Sequence, residues 1–161
     1  MKLIVSILAM VLFTAISCCN KNSENDFMKN ENDFIRMQNI LSDNYPLLRK
    51  LDSNKFHNNV TLYPNEFKTK CTFLKKVDLD FISQVFDNKI IKYISIYDKN
   101  CISFILETNS GYINGNVDYI IYSVDIKNFI NEKSMYSKEI KEEKMLKKNW
   151  YYLKRRISLS N

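Results

Sequence analysis

The fold of this chain is decided by residues 90–107, which read IIKYISIYDKNCISFILE. Two segments rich in isoleucine and aromatic residues, Ile90–Tyr97 and Cys101–Glu107, flank the polar triplet Asp98-Lys99-Asn100. Isoleucine, tyrosine and phenylalanine favour strands, and a short polar loop between two such segments is typical of a β-hairpin. The stretch therefore predicts two antiparallel strands.

The residues that follow predict further strands. Turn residues at Asn109-Ser110-Gly111 and at Asn114-Gly115 lead into the apolar segment Val117–Val124. The segment Asn149–Ile157 carries aromatic residues that suit a final strand. Between them, the charged stretch Lys127–Lys148 fits either a helix or a long exposed connection. The second half of the chain therefore predicts an antiparallel meander.

The first half predicts helices. Apolar residues recur at steps of three and four, as a helix core face requires, at Phe34, Met37, Leu41, Tyr45, Leu48 and Leu51. Pro46 disfavours helical backbone just before it, which predicts a kink or two consecutive helices. Asp78 and Asp80 precede a second apolar group, which fits a short capped helix ending near Asn88.

One region fits short strands less clearly. The alternation of Val60 with Leu62, and of Phe67, Thr69, Cys71 and Phe73, has the period of a strand and is broken at Pro64. Helices and strands are not interleaved one for one, which argues against a parallel sheet. We therefore expect an α+β domain in which an N-terminal helix, or a kinked helix pair, packs on a mainly antiparallel sheet.

The N-terminus has the layout of a secretory signal peptide. Lys2 is followed by an almost wholly apolar run from Leu3 to Ile16, and then by the small residue Ser17. As a helix, this run is about 21 Å long, which is too short to cross a ~30 Å hydrocarbon core stably. The sequence therefore predicts export, with residues 1–17 removed.

The residues at the cleavage point sharpen that prediction. Ala15-Ile16-Ser17-Cys18 resembles the lipobox of bacterial lipoproteins, with Ala15 where Leu is usual. The resemblance implies cleavage before Cys18 and a diacylglyceryl group, with acyl chains such as palmitate, on its sulfur. Cys19 is the second choice for the modified residue, and an ordinary secretory signal with two incidental cysteines is the alternative. A residue other than Asp after the modified cysteine implies sorting to the outer membrane.

The expected organisation follows from these segments. Residues 1–17 are the signal peptide, and residues 18–32 are the lipidated N-terminus followed by a polar, flexible tether. Residues 33–161 form a single domain of ordinary size. Two or three acyl chains anchor a protein stably, since each buried CH₂ contributes ~0.8 kcal/mol.

Composition excludes some functions. The chain has only two glycines, Gly111 and Gly115, so it lacks the loop that cradles a nucleotide phosphate. The net charge of +6 favours acidic partners or anionic surfaces. Beyond the processing site, Cys71 and Cys101 have no CxxC partner, which argues against zinc. They either form a disulfide or remain two small buried residues.

No cluster of residues predicts catalysis. His57 is the only histidine, and it stands in a polar loop without a metal or triad motif. A glycan-directed hydrolase would need two facing carboxylates, for which Glu107 and Asp118 are candidates on neighbouring strands. Two other acidic pairs have simpler interpretations: Asp78 and Asp80 as helix caps, and Glu142 and Glu143 as solvated charges.

The C-terminal segment is the most distinctive part of the mature chain. On a strand, Trp150, Tyr152, Lys154 and Arg156 share one face, and Tyr151, Leu153, Arg155 and Ile157 share the other. Aromatic and basic side chains together suit a protein interface or an anionic glycan. The alternative is a closing strand with one aromatic face in the core and a solvated basic end.

These features predict a lipid-anchored envelope protein that binds another macromolecule and is not an enzyme. Export from the cytosol argues against a nucleic-acid partner. An immunity or inhibitor protein that caps a toxin or a wall-degrading hydrolase is the more specific hypothesis, with binding through Trp150, Tyr152, Lys154, Arg155 and Arg156. The rival hypothesis is the small hydrolase acting through Glu107 and Asp118.

Overall fold

The computed structural model describes residues 23–51, 59–110, 114–130 and 139–158. Its helices are α1 (Ser23–Lys29), α2 (Glu31–Asp43), α3 (Tyr45–Leu48), α4 (Pro64–Lys70), α5 (Lys76–Asp87) and α6 (Ile126–Asn128), with a 3₁₀ turn at Arg49–Leu51. Its strands are β1 (Val60–Leu62), β2 (Tyr93–Asp98), β3 (Cys101–Ser110), β4 (Asn114–Ser123), β5 (Ile140–Lys147) and β6 (Trp150–Ser158).

The six strands form one antiparallel sheet in the order β1-β2-β3-β4-β6-β5. Helices α1 to α5 supply apolar side chains to the main core on one face of this sheet, where Phe34, Met37, Phe67 and Ile82 meet Phe104. A smaller cluster covers part of the other face, where residues around α6 pack on the sheet. The predicted α+β class with an antiparallel sheet is confirmed.

The β2–β3 hairpin forms at the predicted triplet. The carboxylate of Asp98 accepts a hydrogen bond of 2.7 Å from the backbone N–H of Asn100, which stabilises the reversal. The register pairs Ile94 with Phe104 and Ile96 with Ile102. These four side chains all point into the main core, so the alternation of the sequence matches the buried face.

The kink predicted at Pro46 is confirmed as a break between two helices. Helix α2 ends at Asp43 and α3 begins at Tyr45, with Pro46 in its first turn. The amide side chain of Asn44 donates a 2.8 Å hydrogen bond to the carbonyl of Ile40, which satisfies an acceptor at the end of α2. The predicted apolar stripe faces the core on both helices.

The polar tether predicted for residues 18–32 is wrong for its described part. Ser23–Lys29 is helix α1, and α2 already begins at Glu31. Phe27 is fully buried in the main core. Phe27, the hydrogen bond of Ser23 to Asp118 and the ion pair of Glu24 with Lys144 together hold this polar segment against the sheet, and the domain begins by Ser23 instead of Asp33.

The predicted strand Phe67–Phe73 is also wrong, because residues 64–70 form helix α4. Pro64 stands in its first turn, where the missing N–H costs nothing. Phe67, Cys71 and Leu74 are all buried, and their spacing of four and three residues is that of a helix. Glu66 and Lys70, one helical turn apart, form an ion pair of 2.7 Å that further stabilises this helix.

Three other elements differ from their predicted bounds. Helix α5 begins at Lys76, so Asp78 lies inside its first turn and Asp80 beyond it; neither is the N-cap. Asn114 and Gly115, expected in a turn, pair within β4. The charged stretch Lys127–Lys148 contains strand β5.

Strand β5 forms one edge of the sheet. Lys144 and Lys147 on this strand make ion pairs with Glu24 of α1 and Glu31 of α2. Most of its side chains are exposed and charged, which discourages pairing with another chain at a free edge. Because β5 takes the edge, β6 lies inside the sheet. As the last strand of the chain, β6 buries Trp150 and Tyr152 and leaves Arg156 exposed, so the alternative of a closing strand with one aromatic face in the core is confirmed.

Candidate functional site

The side chains of the predicted C-terminal binding patch alternate between the two faces of the sheet, so they do not form one surface. Trp150 and Tyr152 point towards the helices and are only 4% and 5% exposed. The indole of Trp150 stacks on Phe104, with ring centroids 6.0 Å apart and planes inclined by 21°. These two aromatic residues therefore belong to the core, and an exposed aromatic surface at this strand is not formed.

The basic residues of the patch lie apart from one another. Lys154 is half-buried and Arg156 is exposed, on the same side of the sheet as the helices. Arg155 points to the opposite face, where its guanidinium donates two hydrogen bonds of 3.0 Å to the Glu139 carboxylate. Of the five residues predicted to bind a partner, only Lys154 and Arg156 remain on an accessible surface without an ion pair to a described residue.

The Arg155–Glu139 ion pair stands beside a group of tyrosines. Burial raises the pKa of Tyr119 and of Tyr97, and the positive charge of Arg155 acts in the opposite direction on both. Phe129 packs edge-on against Tyr97, with centroids 5.1 Å apart. This covered arrangement keeps the phenols neutral and stabilises the far face of the sheet.

Asp118, one candidate for hydrolytic chemistry, lies beneath the start of α1. Its Oδ2 atom accepts a hydrogen bond of 2.7 Å from the hydroxyl of Ser23. Its Oδ1 atom is buried and has no hydrogen-bond partner among the described residues. Burial raises the pKa of the nearby Tyr152 phenol, and the negative charge of Asp118 raises it further.

Glu107, the other candidate, is the register partner of Asp118 across β3 and β4. The two backbones are therefore as close as a hydrolytic pair would need, while the position of the Glu107 side chain lies outside what the structure describes. His57, Cys18 and Cys19 also lie outside the described residues.

Cys71 and Cys101 are both buried and are not bonded to each other, so the disulfide alternative is not formed. Cys71 belongs to the main core, whereas Cys101 belongs to the cluster on the opposite face of the sheet. Burial raises the pKa of the Cys71 thiol from 9.0 to about 12, and the nearby charge of Lys70 opposes this rise only in part. Both thiols therefore act as small apolar residues.

A cavity of about 450 Å³ opens at the end of the sheet that carries the β2–β3 turn. Its walls come from that turn, from the end of β4 and from the start of α6, with Tyr45 on the helix side. Val124 is 57% exposed there. The cavity thus combines apolar surface from Val124 and Phe129 with the carboxylates of Asp98 and Asp125.

Both carboxylates have local structural partners. Asp125 accepts a hydrogen bond of 3.0 Å from the backbone N–H of Asn128 and so caps α6. Asp98 stabilises its own turn. The sequence marks Asp98 as a turn residue, but nothing in it indicates that Val124, Asp125 and Phe129 meet that turn. Their proximity depends on β3 and β4 pairing with Cys101 opposite Ser123.

Within the described part of the chain, no three His, Cys, Asp or Glu residues lie close enough together to hold a metal ion. None of the described helices is long and apolar enough to cross a membrane.

Comparisons with protein-family models, with curated proteins and with solved structures give no match.

Proposed function

We propose that this chain is a lipid-anchored protein of the bacterial envelope whose domain binds another protein and catalyses no reaction. The observation that carries the proposal is Ser17-Cys18 after the apolar run Leu3–Ile16, which is similar to a lipoprotein processing site. The small domain size fits an anchored binding protein of the immunity or inhibitor type. Cys19 after the modified cysteine favours the outer membrane.

The cavity beside Val124 is the surface that best suits such a partner. It is concave, and it offers apolar and acidic groups that a protruding apolar or basic side chain of a partner can contact. Protein interfaces have this mixture of an apolar centre and a polar rim. Trp150 and Tyr152 are buried in the main core, so they do not contact the partner.

Lipidation is tested by mass spectrometry of the mature N-terminus. The proposal expects an acylated Cys18, and it expects a Cys18→Ser variant to lose its membrane association. A wild-type protein that is soluble and begins with an unmodified residue would overturn the anchor.

Binding is tested with the product of the neighbouring gene, because immunity proteins are usually encoded beside their toxin. Val124→Glu should weaken capture of that product by at least about tenfold, since a charge would enter an apolar contact. Val77 on α5 is 62% exposed and lines a separate pocket with Arg36 and Phe81, so Val77→Glu is the matched control. Equal capture by both variants would exclude the cavity as the binding surface.

The second candidate function is hydrolysis of a glycan, favoured by the register pairing of Glu107 with Asp118. Purified domain should then release product from a cell-wall glycan, and both Glu107→Gln and Asp118→Asn should abolish release. Turnover with that dependence would replace the binding proposal, and its absence would leave Asp118 as a structural partner of Ser23.

A further inference from the structure

Exposed basic side chains gather at one end of the sheet. This end begins at a row of register partners that crosses five strands: Tyr93, Ile105, Tyr119, Leu153 and Glu143. Besides Arg155, four basic residues lie beyond that row, and we call these four the basic end: Lys92, Lys141, Lys154 and Arg156. None of the four makes an ion pair with a described residue.

The acidic groups described near the basic end offset this charge only in part. Glu139 is engaged by Arg155, and Asp118 lies half-buried under α1. Glu142 is the register partner of Lys154 and is exposed. Glu107 also lies beyond the row, opposite Asp118, so five basic and four acidic residues leave this end with a net charge of +1.

The polypeptide enters the domain at the same end. Ser23 is fixed to Asp118 by its 2.7 Å hydrogen bond, and Asp118 stands immediately beyond the row at Tyr119. Helix α1 then runs towards the other end of the sheet, where Phe27 contacts Trp150 with centroids 5.3 Å apart. Whatever precedes Ser23 is thus joined to the molecule beside the basic end.

The connection from Cys18 to Ser23 is short. It has five Cα–Cα steps and spans at most about 17 Å when fully extended. A domain of this size has a radius of gyration of about 14 Å and so a diameter larger than that connection. An acyl group on Cys18 therefore holds the domain too closely for its far end to turn towards the bilayer.

We infer that the basic end lies on the headgroups of the anionic phospholipid bilayer that holds the anchor. This inference depends on the proposed lipidation of Cys18. Lysine and arginine side chains near such a surface are attracted to anionic lipids, which adds to the anchor and fixes the orientation. Tyr63 in the same row as Tyr93 is 45% exposed and suits the headgroup region.

This orientation also determines which end of the domain is accessible to a partner protein. Lys99, Asn100 and Val124 stand at the opposite end of the sheet, around the cavity. With the basic end on the membrane, this cavity faces away from the bilayer, where a protein arriving from the surrounding compartment can reach it.

The lysines of the chain serve as probes. The full-length lipidated protein is placed in vesicles of phosphatidylglycerol and phosphatidylcholine, and in detergent micelles. A water-soluble acylating reagent is then added, and modification is measured at each lysine by mass spectrometry. We expect Lys92, Lys141 and Lys154 to be modified several-fold more slowly in the anionic vesicles, while Lys99 and Lys148 at the far end keep their rates.

Charge reversal supplies the matched comparison. Lys141→Glu combined with Arg156→Glu should remove the protection of Lys92 and Lys154, whereas Lys99→Glu combined with Lys148→Glu should leave it unchanged. Protection of all lysines alike, or of Lys99 and Lys148 only, would overturn the orientation. The intact mass reports lipidation separately: an unlipidated protein overturns the proposed function, and a lipidated protein without this pattern overturns only the orientation.

Discussion

The ring of Phe27 lies 5.3 Å from the indole of Trp150, with the two planes inclined by 42°. Phe27 comes from the first described helix and Trp150 from the last strand, so this contact joins the two ends of the described chain. Both residues are buried in the main core, together with Phe34 and Phe104. The segment that begins at Ser23 is therefore part of the domain.

The first prediction concerns this contact. Phe27→Ala should lower the free energy of unfolding by about 3–5 kcal/mol, because it removes a fully buried ring and leaves a cavity. Met28→Ala is the control, since Met28 is 61% exposed and its loss should cost less than about 0.5 kcal/mol. Urea denaturation of an unlipidated form that begins at Asn20 measures both. Similar stability of the two variants would mean that α1 is not docked.

The second prediction concerns the ion pair on the far face of the sheet. Glu139→Gln should lower the free energy of unfolding by about 1–3 kcal/mol, because Arg155 is only 20% exposed and loses its charged acceptor. Glu66→Gln breaks the more exposed pair with Lys70 and should cost at most about 0.5 kcal/mol. The same denaturation experiment compares them, and equal losses would show that the Arg155 pair is no stronger than a surface pair.

Local periodicity was sufficient to predict much of this fold. The hairpin at Asp98-Lys99-Asn100 and the helix break at Pro46 follow from turn chemistry and from the restriction that proline places on its neighbour. The segment Phe67–Phe73 fits both periods, because Phe67 and Cys71 are spaced for either a strand or a helix. Only the contact of both side chains with the main core decides for the helix.

The candidate site was harder to predict, since it depends on strand order. Alternation places Trp150 and Tyr152 on one face, but it does not say that α1 and α2 cover that face. The charged composition of Ile140–Lys147 does not indicate a strand. This segment nevertheless forms the edge of the sheet, so β6 lies in the sheet interior. The cavity beside Val124 likewise requires residues far apart in sequence, which no local pattern connects.

The third prediction concerns the two cysteines of the mature domain. Because Cys71 and Cys101 lie on opposite faces of the sheet, no disulfide should form between them after exposure to air. In an unlipidated form that begins at Asn20, a thiol reagent should react slowly with the folded protein and rapidly with both cysteines in denaturant, since the thiolate is the reactive form and burial disfavours it. Recovery of a Cys71–Cys101 peptide without reductant would contradict this.

The fourth prediction is that the domain loses stability in alkali. Burial raises the pKa of the Cys71 thiol from 9.0 to about 12, and it raises the pKa values of Tyr97 and Tyr152 above 10.0. As the pH rises past 9, the unfolded chain releases these protons first, so the folded state binds more protons and the free energy of unfolding decreases. The contribution of Cys71 is fully present below pH 9 and is lost as the pH approaches about 12.

Denaturation curves recorded at intervals from about pH 8 to about pH 11 should therefore show stability falling steadily, with the slope given by the difference in bound protons. Cys71→Ala should lower stability at every pH because it leaves a cavity, but it should flatten the decline above pH 9, since it removes the thiol whose pKa is raised. Ultraviolet absorbance of phenolate, compared between the protein and its Tyr97→Phe and Tyr152→Phe variants, should show these two residues ionising only as the domain unfolds. A flat stability profile, with phenolate appearing in the folded protein, would mean that water reaches these groups and that the strands around them are not packed as described.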